Sequence, residues 1–174
     1  MTAWLSDHAL LLGGGGVLAV VLLLPALEAA LPVIGTLMPG QTAVVMGGML
    51  AYHGHVPVLA AVLAALAGGV LGNLAGYAFG RHFRAHPDGR LAGRVLRSPR
   101  LGRALTLIEK RGGAAVFVGR FTAVLRTMVP TLCGISGMRL RGYAVWSVVS
   151  AGVWAPVFVL LGYATGPAGT AWPF

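Results

Sequence analysis

The apolar positions of this chain run in long blocks, with neither the period of two expected of half-buried strands nor the one-sided stripe of a soluble helix. Three blocks are nearly unbroken, over residues 9–27, 56–80 and 143–166. The first holds 19 residues, just enough to cross a hydrocarbon core of about 30 Å. The second holds 25, which allows tilt. Each is expected to be a transmembrane helix, so the chain reads as an all-α membrane protein.

Two further apolar segments cannot be continuous helices. Residues 28–54 contain Pro32, Gly35, Pro39 and Gly40, a density of breakers that interrupts helical hydrogen bonding. They are also too apolar for a loop in water. A re-entrant hairpin meets both conditions, provided protein or trapped water pairs its open backbone groups. Its second arm is expected over about 42–52, before the polar tip His53-Gly54-His55. Residues 114–138 repeat the theme as arm, turn and arm, with Pro130, Gly134 and Gly137 marking the turn region. Opposed broken segments in an inverted arrangement are a common way to build a transporter site near the midplane. Similarity between the two halves is too weak to establish a repeat from sequence.

Within the second span Gly68, Gly72, Gly76 and Gly80 recur every fourth residue. That spacing lines one helix face with hydrogen atoms, so a second helix can approach to backbone contact. Four glycines in register cost about 1 kcal/mol each in an isolated helix, which calls for a packing role.

Composition agrees with the pattern. The chain has 174 residues, 57% of them hydrophobic and 10% charged, against about 25% charged in ordinary soluble domains. Mean hydropathy is +0.82. One domain fits this length. The single cysteine, Cys133, permits no intrachain disulfide.

The basic residues are segregated. None precedes Arg81, and nine of the thirteen Lys and Arg fall between Arg81 and Arg111. By the positive-inside rule residues 81–113 form a cytoplasmic loop. The net charge of +9 does not indicate nucleic acid, since nucleic-acid domains do not carry this much apolar sequence. The partner expected for the loop over 81–111 is the anionic headgroup layer, at about 1 kcal/mol per basic residue. Ser98-Pro99 reads as an N-cap and first helical position. A helix from there to about Lys110 places Leu101, Leu105 and Ile108 on one side, as an interfacial amphipathic helix. The N-terminus has Asp7 and His8 but no basic n-region, so the first helix is expected to remain uncleaved.

The unusual chemistry lies in the second broken segment. Arg120 and Arg126 stand in apolar sequence, where each costs about 2.5–3.5 kcal/mol to insert. The intramembrane acid available to them is Glu28. One carboxylate neutralises one guanidinium, and the remaining cation calls for an anion from outside. The planar fork of arginine suits phosphate or carboxylate. The competing account makes the arginines snorkel, cap hairpin carbonyls or share Glu28 as a static clamp. A desolvated Glu28 is a candidate proton carrier whose protonation would release an arginine. Gln41, just after Pro39-Gly40, is a candidate hydrogen-bond donor inside the first hairpin. No nucleophile has a base beside it, so no enzyme is expected, and no cofactor is implied. His53 with His55, and His82 with His86 and Asp88, lack the further ligands of a metal site.

The run Gly119-Arg120-Phe121-Thr-Ala-Val-Leu-Arg126-Thr127, followed by Pro130, Gly134 and Gly137-Met138, resembles the second-half signature of the DedA family. Those membrane proteins carry the domain shared with eukaryotic SNARE-associated, lipid-scrambling proteins. The resemblance continues in Glu28 with Pro32, Pro39-Gly40, Gly47-Gly48 and Gly54. It runs on through Gly69, Gly72, Gly76-Tyr77 and Gly80-Arg81 to Trp154, Gly162-Tyr163 and Gly166, roughly residues 20–166. It implies a bacterial inner-membrane protein with two facing re-entrant hairpins, a part in membrane homeostasis, and movement of polyprenyl phosphate driven by proton motive force. Glu28 matches the family's first-hairpin acid, and Arg120 and Arg126 match its two arginines. Gln41 stands where many members have a second acid, and Ala123 where a proline is common. Relatives usually continue beyond the position of Gly166 into another helix. The function expected is therefore flipping of an anionic lipid, with a bilayer-shaping structural protein or a proton or cation antiporter as alternatives. Homo-oligomer formation stays open.

Overall fold

The computed structural model describes residues 13–31, 39–86, 105–106, 108, 110–121 and 123–169. Among these the regular structure is entirely helical. Helix α1 spans Gly13–Ala30, α2 Gly40–Tyr52, α3 Val58–Ala85, α4 Gly113–Arg120, α5 Ala123–Ser136 and α6 Leu140–Gly169. Three of them, α1, α3 and α6, are long and apolar enough to cross a membrane. At 1.5 Å per residue α1 is about 27 Å long and α3 about 42 Å.

The junctions follow from local chemistry. Helix α2 ends in a Schellman turn: the Gly54 N–H donates to Ala51 O at 3.2 Å and the His55 N–H to Leu50 O at 3.1 Å. Gly54 takes φ +78°, which a Cβ would disfavour. Pro57 then starts α3 from an extended conformation, where its missing N–H costs nothing. Gly137, at φ +81°, ends α5 before α6 begins, and there the Met138 N–H donates to Ser136 Oγ at 3.4 Å.

Several positions differ from the sequence expectation. Glu28 lies in the last turn of α1, ahead of the helix-breaking prolines. Arg81 and Arg84 belong to α3, which continues past Gly80. In the second broken segment α4 ends at Arg120 and α5 starts at Ala123, while Pro130 sits inside α5. Proline is tolerated within membrane helices because neighbouring helices re-satisfy the carbonyl it frees. Pro25 occupies the interior of α1 in the same way. Pro32 and most of the expected amphipathic helix, including Ser98 and Pro99, lie outside the described residues.

The glycine ridge of α3 faces backbone along its whole length. A Cβ on Gly68 would collide with Leu22 O of α1, on Gly72 with Ala26 O, on Gly76 with Ala29 O and on Gly80 with Thr131 O of α5. The ridge thus serves α1 first and α5 last.

The same contacts expose an internal repeat. Gly48 of α2 lies against Val159 O of α6, and Gly162 of α6 against Val45 O of α2. In the other half Gly134 of α5 lies against Tyr77 O of α3, and Gly80 of α3 against Thr131 O of α5. One constant offset carries α2 onto α5, and another carries α3 onto α6, for all four contacts at once. Helices α3 and α6 run antiparallel, with Asn73 opposite Ser147 and Tyr77 opposite Tyr143. The pairs α2–α3 and α5–α6 are therefore inverted copies.

Two apolar clusters result. One gathers Val17, Val21, Val44, Ala65, Trp154 and Val159, and the other Tyr77, Ile108, Val116, Val129, Cys133 and Tyr143. Many large apolar side chains of α3 and α6 instead point outward, among them Leu59, Leu63, Leu71, Val145, Val149 and Leu160. A surface of that kind suits lipid as solvent, where outward leucine costs nothing.

Candidate functional site

The polar side chains of the interior converge where the two apolar clusters meet. Glu28 comes from α1, Gln41 from α2, Asn73 from α3, Arg120 from α4, Arg126 and Thr127 from α5, and Trp154 from α6. Every described helix contributes. Glu28 is only 4% exposed and Arg120 7%.

Arg126 is held as a fork. Its Nη2 pairs with Glu28 Oε1, and its Nη1 donates to Gln41 Oε1. The Gly40 N–H, at the start of α2, also donates to the Glu28 carboxylate. Gly40 is required there, since a Cβ would collide with Glu28 Oε2. The carboxylate thus caps the positive end of α2 and neutralises Arg126 together.

Arg120 is held differently. Its guanidinium lies 4.9 Å from the centroid of the Trp154 ring, a cation–π contact. On the other side it rests on Gly69, where a Cβ would collide with Nη2. Among the described residues Glu28 is the sole carboxylate and is engaged with Arg126, so none of them forms an ion pair with Arg120. Its Nε has no hydrogen-bond partner among them either, nor has that of Arg126. Two guanidiniums against one carboxylate leave the site one positive charge in excess.

A polar string leads away from the arginines. Asn73 Nδ2 donates to Ser147 Oγ at 2.8 Å, and the Tyr143 hydroxyl donates to Asn73 O at 3.1 Å. Tyr143 stacks on Tyr77 with ring centroids 4.8 Å apart. Tyr77 in turn donates to Met138 O at 2.5 Å. The cavity between Glu28, Asn73, Arg120, Arg126 and Trp154 measures about 20 Å³, room for about one water. An anion of phosphate size needs the helices to part.

Of the residues singled out from sequence, Glu28, Gln41, Arg120 and Arg126 come together. Pro39 caps α2 beside them, and Gly40 touches Glu28. Gly72, Gly76, Gly80, Pro130 and Gly134 serve helix contacts, with Gly76 against Pro130. Tyr77 belongs to the string. Gln41 acts as an acceptor here, where donation was expected. His53 and His55 lie exposed in the turn after α2, and the His86 Nδ1–H donates to His82 O at 3.1 Å. Sequence reasoning missed Asn73 and the roles of Gly69 and Trp154. A signal existed for Asn73, the sole asparagine of the chain and an amide inside an apolar span.

Comparison with known proteins gives a consistent picture. The VTT domain family matches residues 38–164. The chain is 27% identical over 159 residues to protein DedA of Escherichia coli, covering 88% of this chain and 70% of that protein. It is 34% identical over 139 residues to the membrane protein slr0232 of Synechocystis, covering 79% and 63% respectively. It is 31% identical over 141 residues to the inner membrane protein YohD of Escherichia coli, covering 80% and 71%. No solved structure matches. The match spans nearly three quarters of the sequence, and the helices are apolar enough to span a bilayer: the chain is a membrane protein of the VTT-domain, or DedA, family.

Proposed function

We propose that this protein moves an anionic lipid across the bacterial inner membrane, with a polyprenyl phosphate as the substrate class. The observation that carries the reading is the uncompensated guanidinium: Arg120 is buried beside Arg126, and one carboxylate serves both. A phosphate head between the two forks would complete the charge while the tail stays in lipid. In this reading residues 28–54 and 114–138 are the two re-entrant hairpins, about 98–110 is the amphipathic helix, and the basic segment faces the cytoplasm. Kinship with an inner membrane protein of Escherichia coli supports the location. Protonation of Glu28 would free Arg126, which offers a coupling to the proton gradient. The inverted pairing of α2–α3 with α5–α6 supplies the two-sided frame that alternating access needs. No covalent chemistry is part of the reading.

Reconstituted vesicles test it. Labelled polyprenyl phosphate should cross faster with the protein than without. Arg126→Ala should abolish the gain, but it strands Glu28, a change that costs about 3–5 kcal/mol when a buried pair is broken. Arg120→Gln is the cleaner variant, because it strands no described carboxylate. An unchanged crossing rate with wild-type protein removes the proposal.

A second reading has one observation in its favour. The cavity of about 20 Å³ is as tight as a permanent clamp would be, and a bilayer-shaping protein would hold these charges fixed. That reading requires no crossing in the same assay, and it requires the Arg120→Gln protein to lose stability instead.

A further inference from the structure

A second, larger cavity lies at the end of the bundle where α3 stops and α6 starts. It measures about 670 Å³ and is lined by Arg81 and Arg84 of α3 and by Arg139 and Arg141 at the start of α6. Tyr77, Gly134 and Met138 complete the wall. All four arginines are exposed, and no carboxylate of the described residues lines the cavity. Arg84 does not trail into solvent: its guanidinium lies on Gly137, where a Cβ would collide with Nη1. The Arg139–Leu140–Arg141 wall is also the N-terminus of a 30-residue helix, whose free N–H groups and dipole favour an anion. Ala85 and Leu140, both exposed, put apolar surface among these charges in the cavity wall.

We infer that this groove binds the phosphate headgroup of a membrane lipid and delivers it to the buried arginines past the Tyr77–Tyr143 pair. Tyr77 lines the groove, and Tyr143 lines the internal void shared with Asn73, Arg120 and Arg126. The stacked rings are therefore the partition between the two compartments. A lipid, and not free phosphate, is the occupant, because exposed apolar side chains of two helices long enough to span a bilayer, Ala85 of α3 and Leu140 of α6, line the groove among the arginines. The inverted repeat sharpens the point. The position equivalent to Arg81 is Tyr163, and the one equivalent to Arg84 is Gly166. At that other end Tyr52 packs edge-on to Tyr163 and lies against Gly166. One end is an arginine groove and its counterpart an aromatic plug. Delivery to the interior rests on the transport reading above, whereas binding in the groove does not.

The test uses the full chain in detergent, titrated with a short-chain phosphatidic acid as the phosphate monoester lipid. Arg81→Gln/Arg84→Gln/Arg139→Gln/Arg141→Gln should weaken binding by roughly a hundredfold. A control that neutralises Arg94, Arg97, Arg100 and Arg103 matches its net charge and should weaken binding by at least about tenfold less. The smaller Arg139→Gln/Arg141→Gln variant gives the same ordering if the fourfold change fails to fold, and lysine at both positions should restore most of the affinity. Equal losses in groove and control variants would reduce the effect to bulk charge and overturn the proposal. Displacement by inorganic phosphate as effective as by the lipid would also overturn it, by identifying a free-phosphate site. Crossing in vesicles is scored separately. Binding in the groove with no crossing by wild-type protein leaves the groove site standing and removes the transport reading together with delivery. Normal crossing and binding by the groove variant does the reverse.

Discussion

The substitution Gln41→Glu probes the charge of the buried site without changing its shape. Gln41 Oε1 accepts from Arg126 Nη1, so glutamate offers an oxygen at the same place and adds one negative charge. The site then holds two carboxylates against two guanidiniums, and its excess positive charge is gone. For an anion roughly 7 Å from the new carboxylate, at an effective dielectric near 20, Coulomb's law gives about 2 kcal/mol of repulsion. That is about a thirtyfold loss of affinity. Glu28→Gln is the opposite change. It leaves Arg126 between two amides, raises the excess to two charges, and should tighten anion binding by a similar factor. The assay is titration of purified protein with a phosphate monoester lipid after groove binding has been suppressed by the arginine variants. Thermal unfolding checks that each protein is folded. Should Gln41→Glu bind as tightly as wild type, or Glu28→Gln bind more weakly while folded, excess charge is not what attracts the ligand.

Other expectations follow from single contacts. Gly68→Ala drives a methyl into Leu22 O, a backbone atom that cannot swing aside, and should cost about 1–3 kcal/mol, seen as a lower unfolding temperature in detergent. Gly69→Ala meets only the tip of Arg120, so unfolding should change less than for Gly68→Ala while transport of labelled lipid is lost. Trp154→Leu removes the ring under Arg120 and should weaken that residue's anchorage by about 0.5–2 kcal/mol, measurable in a double-mutant cycle with Arg120→Gln. Tyr77→Phe deletes the bond to Met138 O and should alter the crossing rate more than binding in the groove.

How far the sequence reached depends on what each residue needs from its surroundings. The helices were legible because length and apolarity alone determine which segments can span a bilayer. Arg120, Arg126 and Glu28 were legible because charge in apolar sequence always demands a partner. The depth of Pro130 inside α5 was not, since whether proline breaks a membrane helix depends on which neighbours take up the freed carbonyl. The role of Trp154 was not legible, because nothing in its local sequence points to a guanidinium on α4. The inverted repeat was hidden for a related reason. It lives in which glycine meets which carbonyl, as with Gly48 and Val159 or Gly134 and Tyr77, while the side chains around those contacts have diverged.

The near-equivalence of the two halves has a consequence for energetics. On the transport reading, a scaffold whose inward and outward forms were built from interchangeable contacts would store little free energy in either, so its resting preference would come from what differs, arginines at one end and tyrosines at the other. That preference would set which compartment the protein samples first and how fast, as a catalyst would. It cannot by itself accumulate cargo against a concentration difference, so any sustained one-way flow must be driven by a second gradient or by consumption of the product.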